Sequence, residues 1–357
     1  MDSSLYIAGT AMICAIGANP PMIHAAMGAG VNRYQLSRFK DAKGQPVRLA
    51  PVPAAVFASP DWAIEECDEH GESQDHALKL ALHCLAQLHQ QGLPEQPTPL
   101  LLAMNEPELQ AHCLPLKTLA ENIRQAGHAW FTGEHLRSLH SGRAAGIEAL
   151  DFAYQYLAEP FPESMILGSS DSPSSYTRLD VPEQQGRLLS LGPCDGYAPG
   201  EGAAFLRLTS DPEQAVAREG QIIKVHPPGL SDEPGHWFTE EPYRGEGLDQ
   251  AVKQALSSYA GPPIATVFSS MNGERYWAKE WGVASLRNKE RFTEEARVVH
   301  PAEYFGDLGS ATAPALITLA VEHLFSQASE TACLVYSSSD GPRRGAVVLE
   351  KQPRLPG

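Results

Sequence analysis

The stretch SGRAAGIEAL, residues 141–150, puts a glycine, an arginine and two alanines at the head of an apolar run. Continued to residue 159 it reads GRAAGIEALDFAYQYLAE, apolar nearly all round, which predicts a central buried helix rather than a surface one. Its small residues let the helix start close beneath a strand. Such a start is a seat for chemistry, because free amide N–H groups and the positive end of the helix dipole lower a thiol's pKa and stabilise an oxyanion. Arg143 occupies it instead. A guanidinium stays protonated at any working pH and is disfavoured by the dipole there, so its charge requires a compensating partner.

Outward from this helix the chain alternates. Before it come an apolar strand ending in glycine turns (SLYIAGTAMICAIG, 4–17), a helix opened by proline (NPPMIHAAMGAG, 19–30), a helix over 72–92 and a buried strand (PLLLAMNE, 99–106). After it comes the buried strand SMILGSSDS (164–172). The same grammar restarts at about residue 216: strand GQIIKVH, helix EGLDQAVKQALSSYAG, strand PIATVFSS, a helix, the apolar helix GSATAPALITLAVEHLF, then strands ACLVYSSS and RGAVVLEK. This order predicts an α/β architecture in two halves, 1–215 and 216–357, with helices covering sheet faces. The repeat is one of element order, not of letters.

Composition narrows the function. The 357 residues carry a net charge of -16 and no run of Lys or Arg, which argues against nucleic acid and anionic membranes as partners. Six scattered cysteines without CxxC spacing fit reduced core thiols better than disulfides or a zinc site. The stretch MDSSLYIAGTAM has no basic region ahead of its apolar run, and no segment reaches the roughly 18 apolar residues of a membrane span, so a cytoplasmic location is expected. Neither a metal nor a cofactor is expected. His76, His83 and His89 lack the i, i+4 spacing of a ligand pair and are read as a solvated helix face.

Five punctuated stretches resemble the β-ketoacyl-acyl carrier protein synthase (ketosynthase) family of the thiolase-like fold. They are YIAGTAMICAIG (6–17), GRAAGIEAL (142–150), GPCDGYAPGEGAAFLRL (192–208), YFGDLGSATAPALITLA (304–320) and YSSSDGPRRGAVVLE (336–350). The third is the strongest match, and together they span nearly the whole chain. The resemblance implies two pseudo-repeated βαβαβ halves in an α/β/α/β/α layering, and dimerisation with itself or with a related subunit.

In that family a cysteine at the start of the buried helix attacks an acyl thioester and two histidines assist condensation. By the resemblance the cysteine's place falls on Arg143, the histidines' places on Asn272 and Asp307, a lysine's place near Ala302 and a phenylalanine gate on Asp340. The scaffolding glycines remain while the chemical residues differ. Asp307 is therefore the expected partner of Arg143, in a contact that plugs the former active site.

Two classes of function follow. One is a catalytically inactive protein acting by binding, as an adaptor or chaperone, for instance of a secreted effector, or as the partner subunit of a ketosynthase. The other is an acyltransferase or ketosynthase-like enzyme of altered chemistry acting on acyl-CoA or acyl carrier protein thioesters. Ser141, His140, Cys113 with adjacent His112, and Cys194 are weak substitutes for a nucleophile, since none sits at the helix start. The compressed region 93–140 argues against a standard carrier-protein path. In SDEPGHWFTEEPYRGEG (231–247), Trp237, Phe238 and Tyr243 form a loop that either contacts a partner or covers a core.

Overall fold

Side chains that alternate along each strand divide the core into three apolar layers. In strand β1 (Leu5–Cys14), Met12 and Cys14 face one cluster while Ala11 and Ile13 face another. The same two-residue period sorts the other central strands. The structure is a computed structural model and describes residues 4–56, 72–92, 98–106, 136–158, 163–173, 176–192 and 195–354.

After β1 the elements follow in order: α1 (Pro20–Gly28), a small hairpin of β2 (Gln35–Lys40) and β3 (Pro46–Leu49), α2 (Glu72–Gln90), β4 (Leu100–Ala103), β5 (Leu136–Leu139), α3 (Ala145–Tyr156), β6 (Ser164–Asp171), α4 (Tyr176–Gln184) and β7 (Gly202–Thr209). Then come β8 (Gln221–Val225), β9 (Gly229–Asp232), α5 (Glu246–Ser257), β10 (Ile264–Ser269), α6 (Arg275–Arg287), β11 (Phe292–Val299), α7 (Ala302–Phe305), α8 (Thr312–Ser326), β12 (Ala332–Ser338) and β13 (Arg343–Pro353).

The two halves repeat one topology. The first runs β5-β4-β6-β7-β1 across the sheet and the second β11-β10-β12-β13-β8. In each, the first three strands in that order are parallel and the fourth is antiparallel to both its neighbours. The halves meet where Leu5 pairs with Val225 and Tyr6 with Lys224, so the sheet is continuous rather than split in two. Strand β9 adds to β13. The apolar pattern of the sequence does not mark β5, β9, β11 or the β2–β3 hairpin, because these strands are short or carry polar residues along much of their length.

Helices α3 and α8 lie between the halves. Each touches strands of both, and they touch one another. Nearly every side chain of α8 is buried, as its all-round apolar sequence requires. Outside, α2 covers β1, β6 and β7, while α5 covers β13 and β9, completing the five layers. Among the described residues no helix is long and apolar enough to cross a membrane.

The central layer depends on two close approaches. A Cβ on Gly146 would lie 2.5 Å from Cδ of Pro314, and one on Gly345 would lie 2.9 Å from Ile147. Pro314 is itself tolerated because it falls in the first turn of α8, where its missing N–H has no helical partner to lose. Gly146→Val therefore overpacks the α3–α8 crossing, with an expected loss of about 1–3 kcal/mol. Urea or thermal unfolding measures it, and an unchanged midpoint would contradict the crossing.

Candidate functional site

The site lies at the carboxyl ends of the parallel strands, where an open α/β sheet leaves a crevice. Residues just beyond these ends supply it: Glu106 after β4, Arg143 after β5, Asn272 and Glu274 after β10, and Asp340 after β12, with Asp171 closing β6. Gly142 turns the chain from β5 into the central helix with φ +65, a conformation open to glycine without a Cβ clash. Its N–H donates to the Met104 carbonyl at 3.0 Å, which fixes the start of the helix beside β4.

Arg143 is buried, with 6% of its surface exposed. Its Nη1 donates to Asp307 Oδ2 at 2.6 Å, its Nη2 to Asp340 Oδ1 at 2.5 Å and its Nε to the Ser338 carbonyl at 3.0 Å. The guanidinium also stacks 4.4 Å from the centre of the Trp277 ring. The expected Arg143–Asp307 contact is thus direct. Burial works to lower the pKa of Arg143, but the charges of Asp340 and Asp307 outweigh it and hold the group firmly protonated.

Asp307 sits in a loop drawn close by glycines. Its N–H donates to the Ala198 carbonyl at 2.9 Å and its carbonyl accepts from Gly200 N at 2.8 Å. A Cβ on Gly200 would lie 2.1 Å from the Phe305 carbonyl oxygen. The glycines of residues 192–208 therefore serve to bring two loops together. Asn272 Nδ2 donates to Asp307 Oδ2 at 2.7 Å, so Arg143 and Asn272 converge on one carboxylate oxygen of Asp307.

A second arginine, unforeseen in the sequence, doubles the network. Arg187 grips Glu274 with two bonds of 2.7 and 2.8 Å and donates to Asp340 Oδ2 at 2.6 Å. Asp340 is shared between the two arginines. Burial pushes its carboxyl up, but Arg143 and Arg187 prevail and hold it down at about 2. Trp277 Nε1 donates to Glu274 at 2.9 Å. Beside this, Asp171 accepts from Arg178 at 2.6 Å and from Asn105 at 2.9 Å. Glu106, 6% exposed, accepts from the Asp340 amide at 3.1 Å. Burial, with Asp340 next in weight, pushes its carboxyl up to about 6 despite Arg143.

The aromatic loop proves to be a cover with an open edge. Trp237 lies over the Arg187 guanidinium, 4.1 Å to its ring centre, and Tyr243 packs against Tyr276 at 4.7 Å. Phe238 is 38% exposed and lines the mouth of the cleft. His76 and His83 do not form the expected solvated face: they are half-buried against Glu201 Oε1 and the Ala18 carbonyl, both at 3.1 Å. Ala302 begins α7.

Cys14, Cys84 and Cys333 are free and buried in the core, and burial pushes their thiols far up, that of Cys14 to about 12. Cys67, Cys113, Cys194 and His112 lie outside the described residues. Among the described residues, no group of His, Cys, Asp and Glu is placed to hold a metal.

This architecture is the thiolase-like fold of the ketosynthases. The chain is similar to the ishigamide ketosynthase/chain length factor, with a TM-score of 0.74 and 16% identity over 98% of this chain and 99% of that one. It is similar also to a chain of a ketosynthase in complex with its chain length factor from Xenorhabdus doucetiae (TM-score 0.72, 16% identity, 98% of each chain). A β-ketoacyl synthase from Burkholderia phymatum STM815 gives a TM-score of 0.71 and 17% identity over 99% of this chain and 100% of that one. No protein-family profile and no curated protein sequence matches the chain.

The two shifted carboxyls act oppositely on stability. Glu106 is raised when folded, so its contribution is full below its unfolded value near 4.5 and is lost as pH rises through about 6. Asp340 is lowered, so its contribution is present above 3.8 and lost as pH falls towards about 2. Between about pH 4.5 and 6.5 the wild type should lose about 2 kcal/mol that Glu106→Gln does not lose, measured by urea unfolding at each pH. Parallel pH profiles for the two proteins would contradict the assignment.

Proposed function

We propose that this chain is a non-catalytic ketosynthase-fold subunit that works by binding a protein partner, and that the partner is a second subunit of the same fold. The observation that carries this reading is Arg143, whose three donor nitrogens are engaged by Asp307, Asp340 and the Ser338 carbonyl. By the motif resemblance, Arg143 stands in the place of the nucleophilic cysteine, and Asn272 and Asp307 in those of the two histidines. Thioester attack needs a lone pair at the helix start and a base to manage the proton. A guanidinium held protonated by two carboxylates supplies neither.

One observation supports pairing: similar solved structures include a ketosynthase in complex with its chain length factor.

The test is co-expression with the products of neighbouring genes, followed by size-exclusion chromatography with light scattering and by assay of the isolated chain on acyl-CoA and acyl carrier protein thioesters. A stoichiometric complex and no turnover by the chain alone are expected. Turnover above background that Arg143→Ala or Asp307→Ala abolishes would overturn the reading in favour of an altered enzyme.

A further inference from the structure

We infer that the cleft above the Arg143 network is a socket for one basic side chain, an arginine or lysine, presented by a protein partner. The inference deepens the reading of the chain as a binding subunit and rests on it.

Charge sets the sign of the occupant. Five carboxylates, Glu106, Asp171, Glu274, Asp307 and Asp340, face three guanidiniums, Arg143, Arg178 and Arg187, and each guanidinium is already bonded to at least one of those carboxylates. With Glu106 ionised these eight described side chains together carry an excess of two negative charges. An entering anion would have to displace one of these pairs, whereas an entering cation completes the set.

Glu106 provides the receiving atom. Its Oε1 is engaged by the backbone amides of Asp340 at 3.1 Å and Gly341 at 3.5 Å, while its Oε2 accepts no hydrogen bond from another described residue and its side chain lines the cleft. The carboxylate reaches this position only because residue 142 is glycine: a Cβ there would lie 2.1 Å from Oε1 and 2.3 Å from Oε2. A buried carboxylate met only by backbone amides among the described residues carries a desolvation penalty that a charged donor relieves. Its raised pKa, about 6, reports the same penalty.

Size and lining set the rest. The cleft holds about 70 Å³, room for several waters and for an ammonium or guanidinium head. Apolar side chains of Leu179, Val181, Pro182 and Phe238 contribute to its lining, and of these Val181 and Phe238 are exposed. An aliphatic stem packs along such side chains while its charge lies deeper, and the Phe238 ring adds a face for a cation. The chain as a whole carries -16, which steers a basic surface towards it.

The test is calorimetric titration of the full chain with N-acetyl-arginine amide, against N-acetyl-norleucine amide as the neutral stem and propionate as the anion. The arginine amide should bind at about pH 7.5 and weaken about tenfold by about pH 5, as Glu106, flanked by Asp340 and Arg143, takes up its proton. Glu106→Gln should weaken binding at the higher pH and flatten the pH dependence. Phe238→Ala should weaken it without changing that dependence. Should Glu106→Gln fail to fold, the wild-type pH profile alone decides. No binding of the arginine amide, equal binding of norleucine amide or propionate, or an affinity indifferent to pH would overturn the socket. If the partner complex still forms in that event, the binding reading survives and only its anchor is refuted.

Discussion

Arg143 carries a positive charge into the start of a buried helix, where the amide dipoles oppose it, and two carboxylates from the other half of the chain hold it there. Asp307 and Asp340 each need the arginine as much as it needs them, since a buried charge without its partner is costly. The pairing also explains the second arginine. Asp340 is shared with Arg187, which clamps Glu274, so the loss of one member is felt through the partners it shares. Ion pairs of this kind do not by themselves make a fold more stable than an apolar core would. They impose mutual dependence, and here that dependence crosses the junction between the two halves.

Topology makes the junction possible. Two copies of one strand order place their parallel-strand ends towards a common crevice, and the central helices α3 and α8 pack between them. Glycines then bring the loops within hydrogen-bonding reach: Gly146 for the helix crossing, Gly200 for the Asp307 loop, Gly142 for the Glu106 carboxylate. The aromatic rings finish the enclosure. Trp277 backs Arg143 and Trp237 covers Arg187.

Much of this was legible in the sequence. The buried helix after Arg143, the all-apolar α8 and the alternation of strands and helices follow from hydrophobic period alone, and the need for a counter-charge to Arg143 follows from its position on the dipole. Asp307 could be named because motif spacing tied it to the same site. Arg187 and Glu274 could not, because they stand in irregular segments with no period, and their meeting depends on loops drawn together from distant parts of the chain. Asp340 could be placed at the gate position by the resemblance, though not as a partner of Arg143, while Glu106 left only the signal of a carboxylate three residues past a buried parallel strand, and many strand ends carry such residues as turn formers. His76 and His83 looked solvated because helical spacing says nothing of Glu201 and the Ala18 carbonyl, which the fold brings against them.

The site thus combines the fold seen in ketosynthases with a buried network of arginines and carboxylates, and it is this network that supports the proposed binding role. Whether Arg143 and Asp307 act as one unit is the point on which the account turns. A double-mutant cycle on unfolding free energy, using Arg143→Met, Asp307→Asn and the pair, measures it. Strong coupling, about 2–3 kcal/mol, is expected, with the double variant far less damaged than the sum of the singles. Additive losses within about 0.5 kcal/mol would contradict it, since the two groups would then be buried side by side without depending on each other.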